Sequence, residues 1–336
     1  MSQYVSPEAV SAVMSESINI TQRTLTARIE TYQWDQLFQR SASADRARLL
    51  AYSAPWSDGW MGVTPSECLD TQMSNRTFHD TVGVRLGVDA FQESFHCPFC
   101  RSVMDTRGHH CAACMAGGDH VLQHNEVRNT VHREAVKSNF RPELEKSGLL
   151  TNLGWPGAAG RRPADTLMVS GDTLEVNSRR RFGKVALDFA VVSPFTPTAI
   201  RAAADECLAT AKAYAQTKRR YKETQRLCEE AGIGFEPIIF ESTGGLDPEG
   251  QKVLESVFHG VAKSTGKDKA EVVRRMKGRI SIDLCRAQSR ALHRRKVVVC
   301  EESTGVISRA TAEASLEVPP EDIDADVDMV DGTLEN

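Results

Sequence analysis

The chain has 336 residues and a formal net charge of −4, and 40% of its residues are hydrophobic. This length suffices for about two domains with ordinary apolar cores. No apolar run reaches the roughly 18 residues of a membrane-spanning helix and the N-terminus lacks a signal peptide's apolar stretch, so we expect an intracellular protein with reduced cysteines.

Residues 1–63 are expected to form a helical N-terminal region without a catalytic signature. Ser6-Pro7-Glu8 predicts a helix start, with Ser6 as N-cap and Pro7 at the first helical position. The sequence Thr64-Pro65-Ser66-Glu67 has the pattern of a capping box and predicts another helix. We therefore assign residues 64–126 to a helical linker followed by a metal-binding segment.

Residues 96–125 are rich in cysteine and histidine. Soft thiolate and imidazole ligands in this arrangement are typical of tetrahedral zinc, and a closed set of four ligands indicates a structural site. The thiolate candidates are Cys97, Cys100 and Cys114. The spacing does not choose between His109 and His110 as the fourth ligand. Further candidates are Cys111, His120 and His124, and the alternative is a group of free cysteines.

Residues 127–300 are expected to form an α/β (α+β) region. The predicted helices cover residues 126–138, 198–232, a segment capped by Asp247, and 269–295. The predicted strands are ADTLMV, DTLEV, KVALDFAVV and GFEPIIFE.

Asp188 lies on the predicted strand KVALDFAVV, whose two faces are both apolar. Such a strand is central and covered on both sides, so a carboxylate there is costly unless it binds a cation or hydrogen-bond donors. A turn at residues 170–172 would bring Asp165, at the start of the preceding strand, to the same place. Two carboxylates that share Mg²⁺ are typical of phosphodiester hydrolysis. The alternative is a buried aspartate that caps a loop.

Lys218 lies on the apolar stripe of the predicted helix over residues 198–232, in line with Ala211, Tyr214 and Tyr221. It can extend along its aliphatic stem to solvent. It can also point toward the sheet and pair there with the two carboxylates.

The charge is distributed unevenly along the chain. Residues 301–336 hold eleven acidic residues and one arginine, so residues 1–300 carry a formal charge of +6. The acidic segment is predicted to be a disordered tail. Basic clusters in the remainder suit a polyanionic partner, although most charge runs are solvated faces. These clusters are Arg161-Arg162, Arg179-Arg180-Arg181, Lys218-Arg219-Arg220 and Arg294-Arg295-Lys296.

Taken in order, these motifs resemble the restriction-like endonuclease domain of site-specific non-LTR retrotransposons, a branch of the PD-(D/E)XK superfamily, and of reverse-transcriptase-associated open reading frames. The resemblance covers roughly residues 65–295. The matching motifs are Cys97-x-x-Cys100, Gly108-x-His110-x-x-x-Cys114, Gln123-His124-Asn125, Arg162-Pro163-Ala164-Asp165, Leu187-Asp188-Phe189, Lys218-Arg219-Arg220-Tyr221 and Glu241-Ser242-x-Gly244-Gly245. No reverse transcriptase fits within the chain.

The resemblance implies a PD-(D/E)XK core preceded by a zinc knuckle, and it selects His110 as the fourth zinc ligand. It further implies that Asp165 and Asp188 hold Mg²⁺ and that Lys218 orients water or stabilises the reacting phosphate. Supporting catalytic candidates are Tyr221 and Glu134. Candidate nucleic-acid contacts are His124, Asn125, Arg128, Arg162 and Arg220.

The expected activity is Mg²⁺-dependent nicking of double-stranded DNA in the nucleus, with RNA as an alternative partner. Three departures from the family pattern bear on catalysis. Asp188 is not followed by the superfamily's lysine on the strand, Ala164 is inserted before Asp165, and Gln123 replaces a basic residue. A second reading is a non-catalytic nucleic-acid-binding remnant of a retroelement.

Overall fold

The computed structural model describes residues 21–154, 161–176 and 180–304. These residues form a mixed α/β protein with a four-stranded mixed sheet and a separate two-stranded hairpin. The helix predicted at Ser6 lies outside the described residues. So does the predicted acidic tail, apart from residues 301–304, which end the last helix.

The helices of the described residues are α1 (Gln22–Arg40), α2 (Ser43–Ser53), α3 (Asn75–Leu86), α4 (Asp119–Ala135), α5 (Ile200–Asp205), α6 (Ala209–Arg220), α7 (Thr224–Glu230), α8 (Pro248–Thr265) and α9 (Lys269–Thr304). The strands are β1 (Phe95–His96), β2 (Val103–Met104), β3 (Phe140–Leu144), β4 (Thr166–Val176), β5 (Arg180–Val192) and β6 (Gly234–Glu241). None of the described helices is both long and apolar enough to cross a membrane.

The predicted helix start at Thr64 is wrong. Instead, the hydroxyl of Thr71 donates to the carbonyl of Thr64 (2.8 Å) and its backbone N–H donates to the carbonyl of Ser66 (2.9 Å), so the segment closes into a loop. The next helix, α3, begins after Ser74, whose hydroxyl accepts a hydrogen bond from the backbone N–H of Thr77 (3.1 Å).

The sheet has the strand order β3-β4-β5-β6, with β5 and β6 parallel and the other pairs antiparallel. The long strand β5 is central, as predicted. The segments ADTLMV and DTLEV form one strand, β4, instead of two. A β-bulge between Val169 and Leu174 accommodates the Gly-Asp pair that suggested a turn, and the antiparallel pairing continues as far as Val176 and Arg180.

Both faces of β5 are covered, which explains its continuous apolar sequence. Val185, Leu187, Phe189 and Val191 pack in the main core together with residues of α4, α8 and α9. On the opposite face, Ala190 packs against two alanines of α6, Ala211 and Ala215. Because these side chains are small, α6 lies close to the sheet.

The helix predicted over residues 198–232 is divided into α5, α6 and α7. The divisions fall at Leu208 (φ +61°), and at Lys222 and Glu223 (φ +44° and +59°), where the backbone is left-handed. A regular α-helix cannot continue through such residues. The short helix α6 therefore lies on the sheet with its own orientation and carries Lys218 in its last turn.

The region before residue 64 contributes to the main core. The Trp56 ring lies 6.3 Å from the rings of Phe240 and Phe258, and it is 2% exposed. Gly59 approaches the carbonyl of Lys277 on α9 so closely that a Cβ there would clash at 2.6 Å. Residues 56–59 are therefore built into the same core as the sheet.

Candidate functional site

The first candidate site is a turn of the β1–β2 hairpin and the segment that returns to it. The backbone of Cys97 makes two hydrogen bonds across the turn. Its N–H donates to the carbonyl of Ser102 (2.8 Å), and its carbonyl accepts from the N–H of Arg101 (2.8 Å). Arg101 adopts φ +66° to close the turn. Gly108, at φ +74°, then leads into a single 3-10 turn that carries His110. Local backbone geometry thus brings ligands from two segments together.

Four side chains form a group that can hold a metal ion: Cys97, Cys100, His110 and Cys114. Their ligand atoms all lie within 4.8 Å of one another. Sulfur–sulfur distances are 3.9 Å from Cys97 to Cys114 and 3.7 Å from Cys100 to Cys114. A tetrahedral zinc ion with Zn–S bonds of about 2.3 Å requires sulfurs about 3.8 Å apart. The donor set and its spacing therefore fit zinc.

His110, and not His109, completes this set. The Nε2 atom of His110 lies 3.0 Å from the sulfur of Cys100. The ring of His109 stacks on Phe195 with centroids 4.6 Å apart. The spare cysteine, Cys111, contacts Met104 at 3.6 Å, and burial raises its pKa to about 12. The geometry therefore agrees with the four ligands that the resemblance implied.

The second candidate site lies where β4 begins beside β5 and comprises Asp165, Asp188 and Lys218, called the acidic group below. Thr166 pairs with Leu187, and the N–H of Asp165 donates to the carbonyl of Leu187 (3.0 Å). In an antiparallel pair this register places Asp165 directly opposite Asp188, on the same face of the sheet. The two carboxylates meet because β4 and β5 form a hairpin, and not through a turn at residues 170–172.

Lys218 joins the two carboxylates from α6. Its Nζ lies 3.3 Å from Oδ2 and 3.5 Å from Oδ1 of Asp188. The lysine side chain is 21% exposed and that of Asp188 is 17% exposed. The Nζ also lies 5.9 Å from the ring centroid of Tyr214. Of the two orientations open to Lys218 from the sequence, the structure has the inward one.

The two carboxylates differ in their electrostatics. Burial raises the pKa of Asp188 to about 6, because the nearby Lys218 only partly offsets the loss of hydration and Asp165 adds repulsion. Burial also acts to raise the pKa of Asp165. There, hydrogen bonds from His124 and the Phe189 N–H, with the charge of Lys218, outweigh burial and lower that pKa. Asp165 is therefore the more readily ionised of the two.

His124 belongs to this group, which the sequence reasoning did not predict. Its Nε2 lies 3.0 Å from Oδ2 of Asp165, and the same oxygen accepts the N–H of Phe189 at 2.6 Å. One turn earlier on α4, Nε2 of His120 lies 3.1 Å from the carbonyl of Val191. The i, i+4 spacing of the two histidines places them on one helix face, and this was the available signal.

Two predicted catalytic residues have other contacts. Glu134 lies ten residues beyond His124 on α4, about 15 Å along the helix, and its carboxylate pairs with Lys137 and Arg275. The structure pairs Glu134 with these two cations and not with Asp165 or Asp188, and its catalytic role stays a prediction. The ring of Tyr221 lies 4.7 Å from the Lys222 ammonium, just after α6.

The predicted nucleic-acid contacts differ in their availability. Arg162 and Arg220 are exposed, and each lies close in sequence to a member of the acidic group. Asn125 is half-buried, with its Oδ1 3.2 Å from Nδ1 of His124. Arg128 is 7% exposed and is paired with Glu145. Arg128 is therefore largely buried and already paired with a carboxylate, and its role as a nucleic-acid contact stays a prediction.

The basic cluster at residues 294–296 is not a solvated face. Arg295 is fully buried, and Arg294 and Arg295 both bind Asp119 at the start of α4 (2.8 and 2.9 Å). Helix α9 thus uses these arginines internally, which removes them from a polyanion-binding surface.

A buried ion pair holds α6 beside the acidic group. Nη2 of Arg219 lies 2.6 Å from Oε1 of Glu236 on β6, and Glu236 is fully buried. Burial raises the pKa of Glu236 to about 7 despite this partner. Because Arg219 directly follows Lys218, the pair fixes the last turn of α6 next to Asp188.

Neither protein-family models nor curated proteins match this chain.

Proposed function

We propose that the protein is a Mg²⁺-dependent DNA endonuclease of the restriction-like type, which nicks double-stranded DNA and carries a zinc knuckle. The observation that carries this proposal is the group formed by Asp165, Asp188 and Lys218. It combines two adjacent carboxylates with one ammonium at the end of a buried strand pair. A PD-(D/E)XK core uses the same three chemical groups.

The donor set suits Mg²⁺, which prefers carboxylate oxygen ligands. Asp165 and Asp188 would hold the ion. The raised pKa of Asp188 reflects a burial cost that a bound dication would relieve. When bound, Mg²⁺ would stabilise the negative charge that develops on the reacting phosphate.

Hydrolysis transfers a water oxygen to phosphorus and breaks one phosphorus–oxygen bond of the backbone. Lys218 is close enough to Asp188 to orient the water or to donate to a phosphate oxygen, and it remains protonated because the two carboxylates raise its pKa. His124 orients the carboxylate of Asp165 through its Nε2 contact. This arrangement assigns each member of the group a separate role.

DNA is the proposed substrate because cationic side chains that can contact phosphates adjoin the acidic group. Arg162 precedes Asp165 by three residues, Arg220 follows Lys218 by two, and both are exposed. A DNA substrate would place the action of the protein in the nucleus.

A second candidate function is non-catalytic nucleic-acid binding, in which Asp165, Asp188 and Lys218 only stabilise the fold. One observation favours it: Oδ2 of Asp165 is already engaged by His124 and by the Phe189 N–H. In this reading Asp165 closes the hydrogen-bonded ladder at the start of β4, and Lys218 neutralises Asp188.

The test is nicking of supercoiled plasmid by the purified full-length chain with and without Mg²⁺. Asp188→Asn, Asp165→Asn and Lys218→Met should each abolish nicking and leave binding to a DNA duplex largely intact. Glu175→Gln is the matched control, since Glu175 is an exposed carboxylate on β4, the strand that directly follows Asp165. Nicking by Asp188→Asn at the wild-type rate would overturn the proposal in favour of the binding function.

A further inference from the structure

Arg295 of α9 is a fully buried cation, and only two of its five N–H groups donate hydrogen bonds to oxygen. Its Nη1 donates to Oδ2 of Asp119 (2.9 Å) and to the carbonyl of Ala291 (2.9 Å). Its Nε and Nη2 atoms have no hydrogen-bond partner among the described residues. Unpaired donors of a buried guanidinium are costly, so these two nitrogens require a nearby acceptor, and a negatively charged one suits them best.

The neighbours that can provide a negatively charged acceptor are the sulfur atoms of the cysteines at the zinc site. The guanidinium of Arg295 interacts electrostatically with Cys97, Cys111 and Cys114, two of which are in the metal-holding set. It also lies 5.0 Å from the ring of Phe99, inside the turn between Cys97 and Cys100. Arg295 therefore lies directly behind the ligands.

The charges of this region balance when zinc is bound. Three thiolates and one Zn²⁺ give a net charge of about −1. Arg294 and Arg295 both bind Asp119, and the three side chains together carry +1. All three are well buried, with exposures of 17%, 0% and 5%. The metal-loaded centre thus neutralises a cation pair that Asp119 alone leaves in excess.

We propose that Arg295 is the counter-ion of the zinc-bound thiolates, so that metal binding at residues 97–114 holds α9 against the hairpin and against α4. The packing agrees with this role. Ala291 and Leu292 share a core cluster with the ligand cysteines, and a Cβ at Gly108 would lie 2.4 Å from Leu292. The zinc centre thereby connects the β1–β2 hairpin, α4 and α9.

The test measures zinc affinity of the full-length chain by competition with a chromogenic chelator, alongside urea unfolding. Arg295→Met should weaken zinc binding by about tenfold or more, the usual effect of losing a group that supports metal ligands. Arg295→Lys, which keeps the charge, should retain most of the affinity. Substitution with Co²⁺ reports whether the absorption of the cysteine-bound ion shifts in Arg295→Met.

Two variants separate a charge effect from lost packing. Arg290→Met removes another ion pair between α9 and α4, formed with Glu126 (2.9 Å), and should lower stability without changing zinc affinity. Asp119→Asn also removes a buried partner, but leaves both arginines to the thiolates, so zinc affinity should hold or rise while stability falls. The proposal is overturned if Asp119→Asn lowers zinc affinity along with the free energy of unfolding. It is also overturned if Arg295→Met binds zinc as tightly as the wild type does. The Asp119→Asn result decides the matter even if Arg295→Met fails to fold.

Discussion

The Nζ of Lys218 lies 3.3 Å from Oδ2 of Asp188, across the interface between α6 and the central strand β5. Both side chains are mostly buried, so each is the main counter-charge of the other. A charge in such a place costs free energy when its partner is removed. The pair therefore couples the stability of the fold to the chemistry of the site.

Lys218→Met is expected to lower the free energy of unfolding by about 2 kcal/mol, a buried-pair value reduced for partial exposure. The loss arises because Asp188 stays buried without a cation. The double variant Asp188→Asn/Lys218→Met should recover a good part of that loss, since neither charge remains. Urea unfolding of the wild type, both single variants and the double variant forms a complete cycle. Strictly additive losses would show that the two side chains do not interact.

His124 should contribute stability that depends on pH. Burial acts to lower its pKa, but the hydrogen bond and charge of Asp165 outweigh burial and raise the pKa above 6.5. The contribution is therefore fully present below pH 6.5 and is lost as the pH rises through the folded-state value. His124→Gln should cost more stability at about pH 5.5 than at about pH 8.5, measured by urea unfolding without Mg²⁺.

His132 provides a control of opposite sign on the same helix. Burial and the charge of Arg128 lower its pKa below 6.5, so the folded protein disfavours its protonated form. His132→Gln should therefore give a relative gain in stability at acid pH. If the free energy of unfolding of His124→Gln and of His132→Gln changes with pH in the same way, the contact with Asp165 does not set the pKa of His124.

Local signals accounted for much of the fold. The continuous apolar sequence KVALDFAVV predicted a central strand covered on both faces. Asp247 predicted the start of α8, where its carboxylate accepts hydrogen bonds from the N–H groups of Glu249 and Gly250 (both 3.2 Å). The breaks at Leu208 and Glu223 were not predictable, because neither residue type signals a left-handed backbone.

In the candidate site too, local sequence predicted some residues and contacts and missed others. The metal ligands are close in sequence, so their spacing and the resemblance predicted them. Asp188 was identified because a charge on a buried strand demands a partner. The contact of His124 with Asp165 joins residues 41 positions apart on different elements, and such contacts depend on how a helix docks on a sheet. The burial of Arg295 was not predictable from the sequence for the same reason.

Loss of the metal is expected to unfold the segment at residues 96–125. Cys97→Ser removes one of four ligands and should abolish stoichiometric zinc binding, measured by elemental analysis of the purified protein. The segment has few apolar side chains of its own, so its order should depend on the metal, and hydrogen exchange of β1 and β2 should accelerate. Cys68→Ser is the control, because Cys68 is exposed and outside the ligand set. A metal-free wild type with protected hairpin amides would contradict the expectation.

The acidic tail should weaken non-specific DNA binding. Residues 311–336 hold nine acidic residues and no basic one, while residues 1–300 carry a formal charge of +6. Deleting 311–336 removes repulsion from the phosphate backbone, so affinity for a random DNA duplex should rise at low salt and the gain should shrink as salt increases. Fluorescence anisotropy across a salt series measures both effects. A tail of the same length with its acids changed to Asn and Gln separates charge from bulk, and it should bind as the truncated chain does. Equal affinities for the wild type and the truncated chain at low salt would show that the tail has no electrostatic role in binding.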